Sequence, residues 1–121
     1  MSFEYWGYHL MLDCRGGVID RVRDGENIKG FAKDLVEQID MKAFGEPIVE
    51  HFATHNPEAA GYSLLQLIET SNIAGHFVDK NGDFYLDVFS CKDFDINIVK
   101  QVVIRWFDPE NIKISYFTRQ A

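Results

Sequence analysis

Three side chains of the kinds that enzymes use for nucleophilic and acid–base chemistry lie in the middle of this chain. They are Ser71, His76 and Cys91. Hydroxyl, imidazole and thiol groups are those that proteins use as nucleophiles, bases and acids. The serine and the histidine lie in one stretch, residues 69–76, and the cysteine ends a second stretch, residues 87–91. The two stretches are candidates for one functional site.

A β-hairpin is predicted to join these two stretches. Asn81-Gly82 lies between apolar runs, and both residue types tolerate the positive φ that a type I′ turn requires. A two-residue loop at this point would place His76, Asp87, Asn72 and Cys91 on one face of the hairpin. The register would pair Lys80 with Asp83, His76 with Asp87 and Asn72 with Cys91.

The predicted hairpin limits how these side chains can meet. His76 and Cys91 would lie four residues apart along it, roughly 13 Å at 3.3 Å per residue. Ser71 would also point to the opposite face of an unbroken strand. A site that uses all three residues therefore requires a break in the strand near Ser71.

Periodicity in the rest of the chain predicts the elements that position this hairpin. Alternating or continuous apolar runs predict strands, and apolar residues at helical spacing predict two helices with one apolar stripe each. The predicted strands are 5–15, 48–54, 62–69, the two hairpin strands and 111–118; the predicted helices are 28–39 and 96–107. Strand 62–69 is predicted to be central because it is apolar on both faces. The order predicts a single α+β domain over residues 1–121, a two-layer sandwich with both helices on one face of a largely antiparallel sheet.

Composition excludes several classes of function. The chain has 121 residues, 46% of them hydrophobic, and a formal net charge of −7, which argues against a nucleic-acid or acidic-membrane partner. No apolar run approaches the ~20 residues of a transmembrane helix, and residues 1–6 lack the basic region of a secretory signal. Cys14 and Cys91 form neither a disulfide framework nor a metal-ligand spacing, so a cytoplasmic location is expected.

The other three histidines and Cys14 are not assigned to a site, and His9 and Cys14 are predicted to be structural. His9 and Cys14 have no neighbours in sequence that complete a site. His51 and His55 are four residues apart, which suits two metal ligands on a helix but not on a strand, and no third ligand is evident. No metal is expected.

Four motifs occur at the spacing of a known enzyme family. They are Gly7-Tyr8-His9, Gly61-Tyr62-Ser63, Ser71 with His76 five residues later, and Asp87-Val88-Phe89-Ser90-Cys91. Nearly the whole chain resembles the small bacterial and archaeal S-adenosylmethionine decarboxylases, which are pyruvoyl enzymes of polyamine and spermidine synthesis. The resemblance implies a small-molecule substrate and a homodimer with its sites at or near the interface.

The resemblance implies a role for each matching residue. Ser71 would attack the carbonyl of Thr70, and the chain would be cleaved between them to leave a pyruvoyl group at position 71, with no pyridoxal phosphate. His76 would act as the base in the elimination step, and Ser63 would assist the processing intermediate. Cys91 would return a proton to the substrate carbon after carbon dioxide leaves.

The chain differs from the family pattern beside these residues. The family's Glu-Ser-His reads Thr70-Ser71-Asn72 here, and Lys80 replaces a glutamate that contacts the substrate's ribose. Lys80 is therefore a candidate substrate-binding residue. The substrate could be S-adenosylmethionine or another amino acid, such as arginine or ornithine. The alternatives are an uncleaved, inactive homologue that acts as a binding or regulatory partner, and a structural domain that reuses the fold.

Overall fold

The computed structural model describes residues 4–121 and consists of a six-stranded sheet with helices on one face. The strands are β1 Gly7–Arg15, β2 Ala43–Phe52, β3 Gly61–Ile68, β4 Ser71–Val78, β5 Phe84–Ser90 and β6 Asn111–Arg119; the helices are α1 Ile19–Val22, α2 Gly25–Gln38 and α3 Ile96–Phe107. The strand order is β2-β3-β4-β5-β1-β6, and every neighbouring pair is antiparallel. The predicted α+β sandwich is confirmed. Residues 1–3, part of the stretch in which no secretory signal is predicted, lie outside the described residues.

Capping explains where the two long helices begin. The Asp24 carboxylate accepts hydrogen bonds from the backbone N–H groups of Glu26 and Asn27, so α2 begins at Gly25, one turn before the predicted start. The Asp95 carboxylate accepts from the N–H of Asn97 in the same way at the start of α3. The four-residue α1 has no comparable cap and was not predicted.

Four phenylalanines anchor the β4–β5 hairpin to the helices. Phe77 and Phe84 stack with their ring centroids 5.2 Å apart, and the ring of Phe107 lies 5.1 and 4.9 Å from theirs. Phe31 on α2 contacts Phe107 at 4.9 Å, and all four side chains are fully buried. Aromatic contacts of this kind stabilise a core beyond the area they bury. The hairpin that carries the candidate site is therefore fixed to both long helices.

Helices cover one face of the sheet and leave the other face uncovered in the single chain. The helices of residues 4–121 all pack against the face that carries the core, and several large apolar side chains on the other face are exposed. We call this surface the open face; its exposed apolar residues include Phe44, Ile48, Leu65, Leu67, Tyr85 and Phe117. β3 lies inside the sheet, but the expectation that both its faces are buried is wrong, because Leu65 and Leu67 are 39% and 44% exposed.

The second strand begins earlier than predicted because it contains a bulge. Gly45-Glu46-Pro47 was expected to precede the strand, but β2 starts at Ala43 and its register shifts between Phe44 and Ile48. The Gln66 side-chain amide, which is buried, donates to the carbonyl oxygens of Gly45 and Leu67 at 3.2 and 2.7 Å. Proline and glycine are accommodated in a strand at such a bulge.

The β4–β5 hairpin has a longer loop than predicted, and its register is shifted by two residues. A type I′ turn needs positive φ at both central residues, but only Gly82 has it, with φ of 79°. The Val78 N–H donates to the Asp83 carbonyl and the Gly82 N–H donates to the Val78 carbonyl, which closes a loop over residues 79–82. The observed pairs are His76 with Tyr85, Ala74 with Asp87 and Asn72 with Phe89, so the predicted pairs His76–Asp87, Asn72–Cys91 and Lys80–Asp83 are wrong. Because the shift is even, Asn72, His76 and Asp87 still share the open face.

Candidate active site

The predicted cleavage point lies in a tight turn between β3 and β4. Ile68 pairs with Ser71, so Glu69 and Thr70 are the two residues of the turn and Ser71 is the first residue of β4. Ser71 has a φ of 154°, a value that residues with a side chain rarely adopt. This turn precedes Ser71, and β4 continues unbroken from Ser71 to Val78, so the break that a site combining all three residues would require is absent within one chain. The positive φ does place backbone strain at the residue after the predicted scissile bond.

The carbonyl group of Thr70 is held by a hydrogen bond from β5. The backbone N–H of Cys91 donates to the Thr70 carbonyl oxygen at 3.0 Å. A donor in this position polarises the carbonyl and stabilises the negative charge that forms when a hydroxyl adds to its carbon. The same contact places Cys91, which lies just beyond the end of β5, beside the bond between Thr70 and Ser71.

Ser63 and His76 form a second pair on adjacent strands. The hydroxyl of Ser63 lies 3.0 Å from His76 Nδ1, and His76 Nε2 lies 2.8 Å from the Ala59 carbonyl oxygen. A carbonyl can only accept, so the neutral imidazole carries its proton on Nε2 and accepts from the Ser63 hydroxyl at Nδ1. This arrangement presents a half-buried imidazole as a hydrogen-bond acceptor, which is the form a general base requires.

The four predicted catalytic residues form two separate pairs within one chain. His76 lies five residues beyond Ser71 along β4, which corresponds to roughly 16 Å. Ser71 and Cys91 are at one end of the strand, and Ser63 and His76 are towards the other end. The strand does not bend to bring them together. A single chain therefore presents two half-sites on its sheet.

Lys80 lies in the hairpin loop and forms an ion pair with the Glu58 carboxylate. Both side chains are largely exposed, and the loop is at the end of β4 near His76, away from Ser71. Exposed pairs of this kind contribute little to stability. The predicted substrate-binding role of Lys80 stays a prediction.

An aromatic cleft at Phe89, two residues before Cys91, was not predicted from the sequence. The Trp6 and Phe89 rings lie 6.1 Å apart at an angle of 34°, and the Arg119 guanidinium lies 5.4 Å from the centre of the Phe89 ring. With residues 120 and 121 they line a cleft of about 360 Å³. Phe89 precedes Cys91 by two residues and pairs with Asn72, so the cleft adjoins the Ser71 half-site. Phe89 belongs to the Asp-x-Phe-x-Cys motif, and this motif is the feature of the sequence that could have indicated a functional role for Phe89.

His9 also lies beside this cleft. Its Nε2 atom is 3.1 Å from the Asp87 carboxylate, and its ring contacts Phe89 edge-on at 5.7 Å. The sequence paired Asp87 with His76, whereas the structure pairs it with His9 because β1 lies on the other side of β5. The structural role of His9 stays a prediction, and the sequence did not indicate its contacts with Asp87 and Phe89.

Comparison with known proteins identifies the family. The sequence profile described as S-adenosylmethionine decarboxylase matches residues 8–120. The chain belongs to the S-adenosylmethionine decarboxylase family. The S-adenosylmethionine decarboxylase proenzyme of Clostridium botulinum strain Hall is 30% identical over 93 residues, covering 76% of this chain and 75% of that protein. The proenzyme of strain Loch Maree is 29% identical over the same length.

A solved structure shows the same fold. The crystal structure of adenosylmethionine decarboxylase from Aquifex aeolicus superposes with a TM-score of 0.79 at 19% sequence identity, covering 97% of this chain and 92% of that chain. The family resemblance drawn from the four motifs is thus confirmed, as is the fold that it implied. No helix among residues 4–121 is both long and apolar enough to cross a membrane.

The two cysteines of this family member have different environments. Cys14 is buried in the core on β1, and burial raises the pKa of its thiol to about 12. Cys91 is partly exposed and lies beside the scissile bond. Only Cys91 is therefore accessible enough to exchange protons with a bound molecule.

We predict that one cysteine reacts in the native protein and two react after denaturation. Iodoacetamide at pH 8 should modify Cys91, whereas burial and the raised thiol pKa should protect Cys14. The measurement is mass spectrometry of peptides from protein labelled before and after unfolding. Cys91→Ser should abolish labelling of the native protein, and rapid native labelling of Cys14 would contradict the structure.

Proposed function

We propose that this protein is a self-processing, pyruvoyl-dependent S-adenosylmethionine decarboxylase of polyamine synthesis. The observation that carries the proposal is the geometry at the predicted cleavage point. The Thr70 carbonyl accepts a hydrogen bond from the Cys91 N–H, and the adjacent Ser71 has a strained backbone. Both features favour attack on this carbonyl over the many others in the chain.

Self-processing begins with Ser71 and Thr70. The Ser71 hydroxyl oxygen bonds to the Thr70 carbonyl carbon, the peptide C–N bond breaks, and the hydroxyl proton passes to the nitrogen, which gives an ester. A base then removes the α-proton of Ser71, and Thr70 leaves as a carboxylate. Tautomerisation and addition of water release ammonia and leave a pyruvoyl group at position 71. The residues present fit this group, because the serine, the activated carbonyl and a candidate base are all in the chain.

The remaining site residues have separate roles in the proposal. The pyruvoyl group supplies an electron-accepting carbonyl for decarboxylation. The Ser63–His76 pair supplies the base for processing, since His76 Nδ1 is held as an acceptor. The Cys91 thiol, partly exposed beside position 71, donates a proton to the substrate carbon after carbon dioxide is lost.

The separation of the two half-sites supports a homodimer. Ser63 and His76 lie on the open face roughly 16 Å along the sheet from Ser71, too far for proton transfer within one chain. The open face also exposes large apolar side chains, which favours burial against another surface. Two copies packed through their open faces would bring the Ser63–His76 pair of one protomer to the end of the other protomer's β4, where Cys91 and the bond between Thr70 and Ser71 lie.

The aromatic cleft favours S-adenosylmethionine over arginine or ornithine. Trp6 and Phe89 offer ring faces on which an adenine could stack, whereas the cationic groups of all three candidate substrates are attracted to such faces alike. Arginine and ornithine lack a purine. Lys80 remains a proposed substrate contact; it can only donate to ribose hydroxyls, whereas its ion-pair partner Glu58 supplies a carboxylate that can accept.

We predict that the processed protein releases carbon dioxide from S-adenosylmethionine and not from arginine or ornithine. Ser71→Ala should abolish both cleavage and turnover, because it removes the source of the pyruvoyl group. Cys91→Ala should retain some cleavage and lose turnover. Trp6→Ala should raise KM by about tenfold through loss of stacking, with cleavage unchanged. The assay is carbon dioxide release from carboxyl-labelled substrates, and wild-type turnover by the Ser71→Ala protein would contradict the mechanism.

We also predict that two inactive variants complement each other in one dimer. In a mixture of His76→Ala and Ser71→Ala chains, the intact Ser71 of the first can meet the intact His76 of the second. Co-expression should therefore give cleavage of the His76→Ala chain only, detected by the mass of each differently tagged chain. Each variant alone should stay uncleaved. Absence of cleavage in a mixture that forms dimers would show that the site does not combine residues from two protomers.

A further inference from the structure

A directed chain of hydrogen bonds ends at the side chain of Thr70. The Lys92 N–H donates to Ser90 Oγ at 3.0 Å, and the Ser90 hydroxyl donates to Thr70 Oγ1 at 2.7 Å. The Thr70 hydroxyl donates in turn to Met41 Sδ at 3.4 Å. A thioether can only accept, so the last link fixes the direction of the chain. Ser90 Oγ also lies 3.7 Å from Met41 Sδ, but its single proton is directed to the much closer Thr70 oxygen.

This chain of hydrogen bonds is anchored at both ends. Ser90 is fully buried, and Met41 packs against the core. The Lys92 ammonium binds the backbone oxygen of Asp40 at 2.6 Å and its carboxylate at 3.1 Å, while the Met41 N–H donates to the Val36 carbonyl. The end of β5 and the end of α2 are thereby tied together around the turn that carries Thr70.

Thr70 is consequently restrained at two points by neighbouring residues of β5. Ser90 holds its side chain, and the N–H of Cys91 holds its carbonyl oxygen. Together these contacts fix the rotation of Thr70 and so the plane of the peptide that joins it to Ser71. A residue in a two-residue turn would otherwise sample several orientations. Fixing the carbonyl relative to the attacking hydroxyl accelerates an intramolecular addition, because the reacting groups lose little further orientational entropy in the transition state.

We propose that Ser90 is a positioning residue for self-cleavage, which holds the Thr70 carbonyl for attack by Ser71 through its hydrogen bond to the Thr70 hydroxyl. The inference rests on the proposed function and adds a residue to which no processing role was assigned. It also gives Thr70, which stands where the family has glutamate, a role of its own. Ser90 acts on ester formation and not on the later elimination for which His76 is the proposed base.

The first test compares rates of cleavage in freshly synthesised chains. Ser90→Ala and Thr70→Val each break the link between the two hydroxyls and should slow cleavage by at least about tenfold. Thr70→Ser keeps the hydroxyl and should cleave within about threefold of wild type. Thr118→Val removes an exposed strand hydroxyl that is not on the open face and has no hydrogen-bond partner among residues 4–121, and it should cleave at the wild-type rate. Intact mass at successive times gives each rate, and thermal unfolding confirms that each variant is folded.

A double variant tests whether Ser90 and Thr70 act through each other. If they do, Ser90→Ala combined with Thr70→Val should be no slower than the slower single variant. If the two substitutions acted independently, the fold reductions in cleavage rate of the two single variants would multiply in the double variant. Thr70→Val lies at a partly exposed turn position and preserves shape, so it tests the chain of hydrogen bonds even if the buried Ser90→Ala change impairs folding.

Hydroxylamine identifies the step that Ser90 controls. Its nitrogen attacks an ester carbonyl, which leaves a hydroxamate on Thr70 and releases the Ser71 hydroxyl. A His76→Ala chain should form the ester and be cleaved rapidly by hydroxylamine, whereas a Ser90→Ala chain should stay at least about tenfold slower because its ester has not formed. Hydroxylamine cleavage of Ser90→Ala at the His76→Ala rate would overturn the assignment to ester formation.

The outcomes separate this inference from the proposed function. Cleavage of folded Ser90→Ala and Thr70→Val within about twofold of wild type would overturn the positioning role and leave self-processing intact. A wild-type chain that neither self-cleaves nor reacts with hydroxylamine would overturn the proposed function, and the positioning role with it.

Discussion

The hydrogen bond from the Cys91 N–H to the Thr70 carbonyl oxygen is the contact on which the cleavage point depends. It joins the end of β5 to the turn between β3 and β4, and so it brings the candidate acid to the candidate scissile bond. The turn leaves Ser71 with a strained φ of 154°, and the same contact polarises the carbonyl that Ser71 would attack. Strain at a reactive peptide persists only where the surrounding structure imposes it.

The hydrophobic core is the part of the structure that imposes the strain at Ser71. The phenylalanines of β4, β5 and α3 hold the hairpin against the helices, so the pairing of Ser71 with Ser90 cannot shift without disrupting buried rings. Gly61 supports the other half-site in a similar way. A Cβ atom at Gly61 would lie 1.7 Å from the Phe77 carbonyl oxygen, so only glycine allows β3 to approach β4 at the Ser63–His76 pair.

The sequence predicts the architecture better than it predicts the site. Apolar periodicity locates the strands and the two long helices, because burial of one face imposes the pattern. The hairpin register is wrong because the loop type depends on whether Asn81 adopts positive φ, which its residue type permits but does not require. Spacing along the chain identifies Ser63, Ser71, His76 and Cys91. It does not show that they form two half-sites, since that depends on pairings between strands.

The contacts that sequence reasoning missed all join residues far apart in the chain. His9 contacts Asp87, Trp6 contacts Phe89, and Met41 accepts from Thr70. Each depends on which strand or helix end lies next to which, and no local pattern encodes this. The open face illustrates the same limit, because the apolar residues of β3 that suggested burial on both sides are exposed in a single chain.

The measurement that tests the central claim most directly is the intact mass of the purified, denatured wild-type chain. We predict two fragments, one ending in a free carboxylate at Thr70 and the other beginning with a pyruvoyl group at position 71. The second fragment should lack a free amino terminus. A single full-length mass after prolonged incubation would contradict self-processing, and the search for function would then turn to a protein partner.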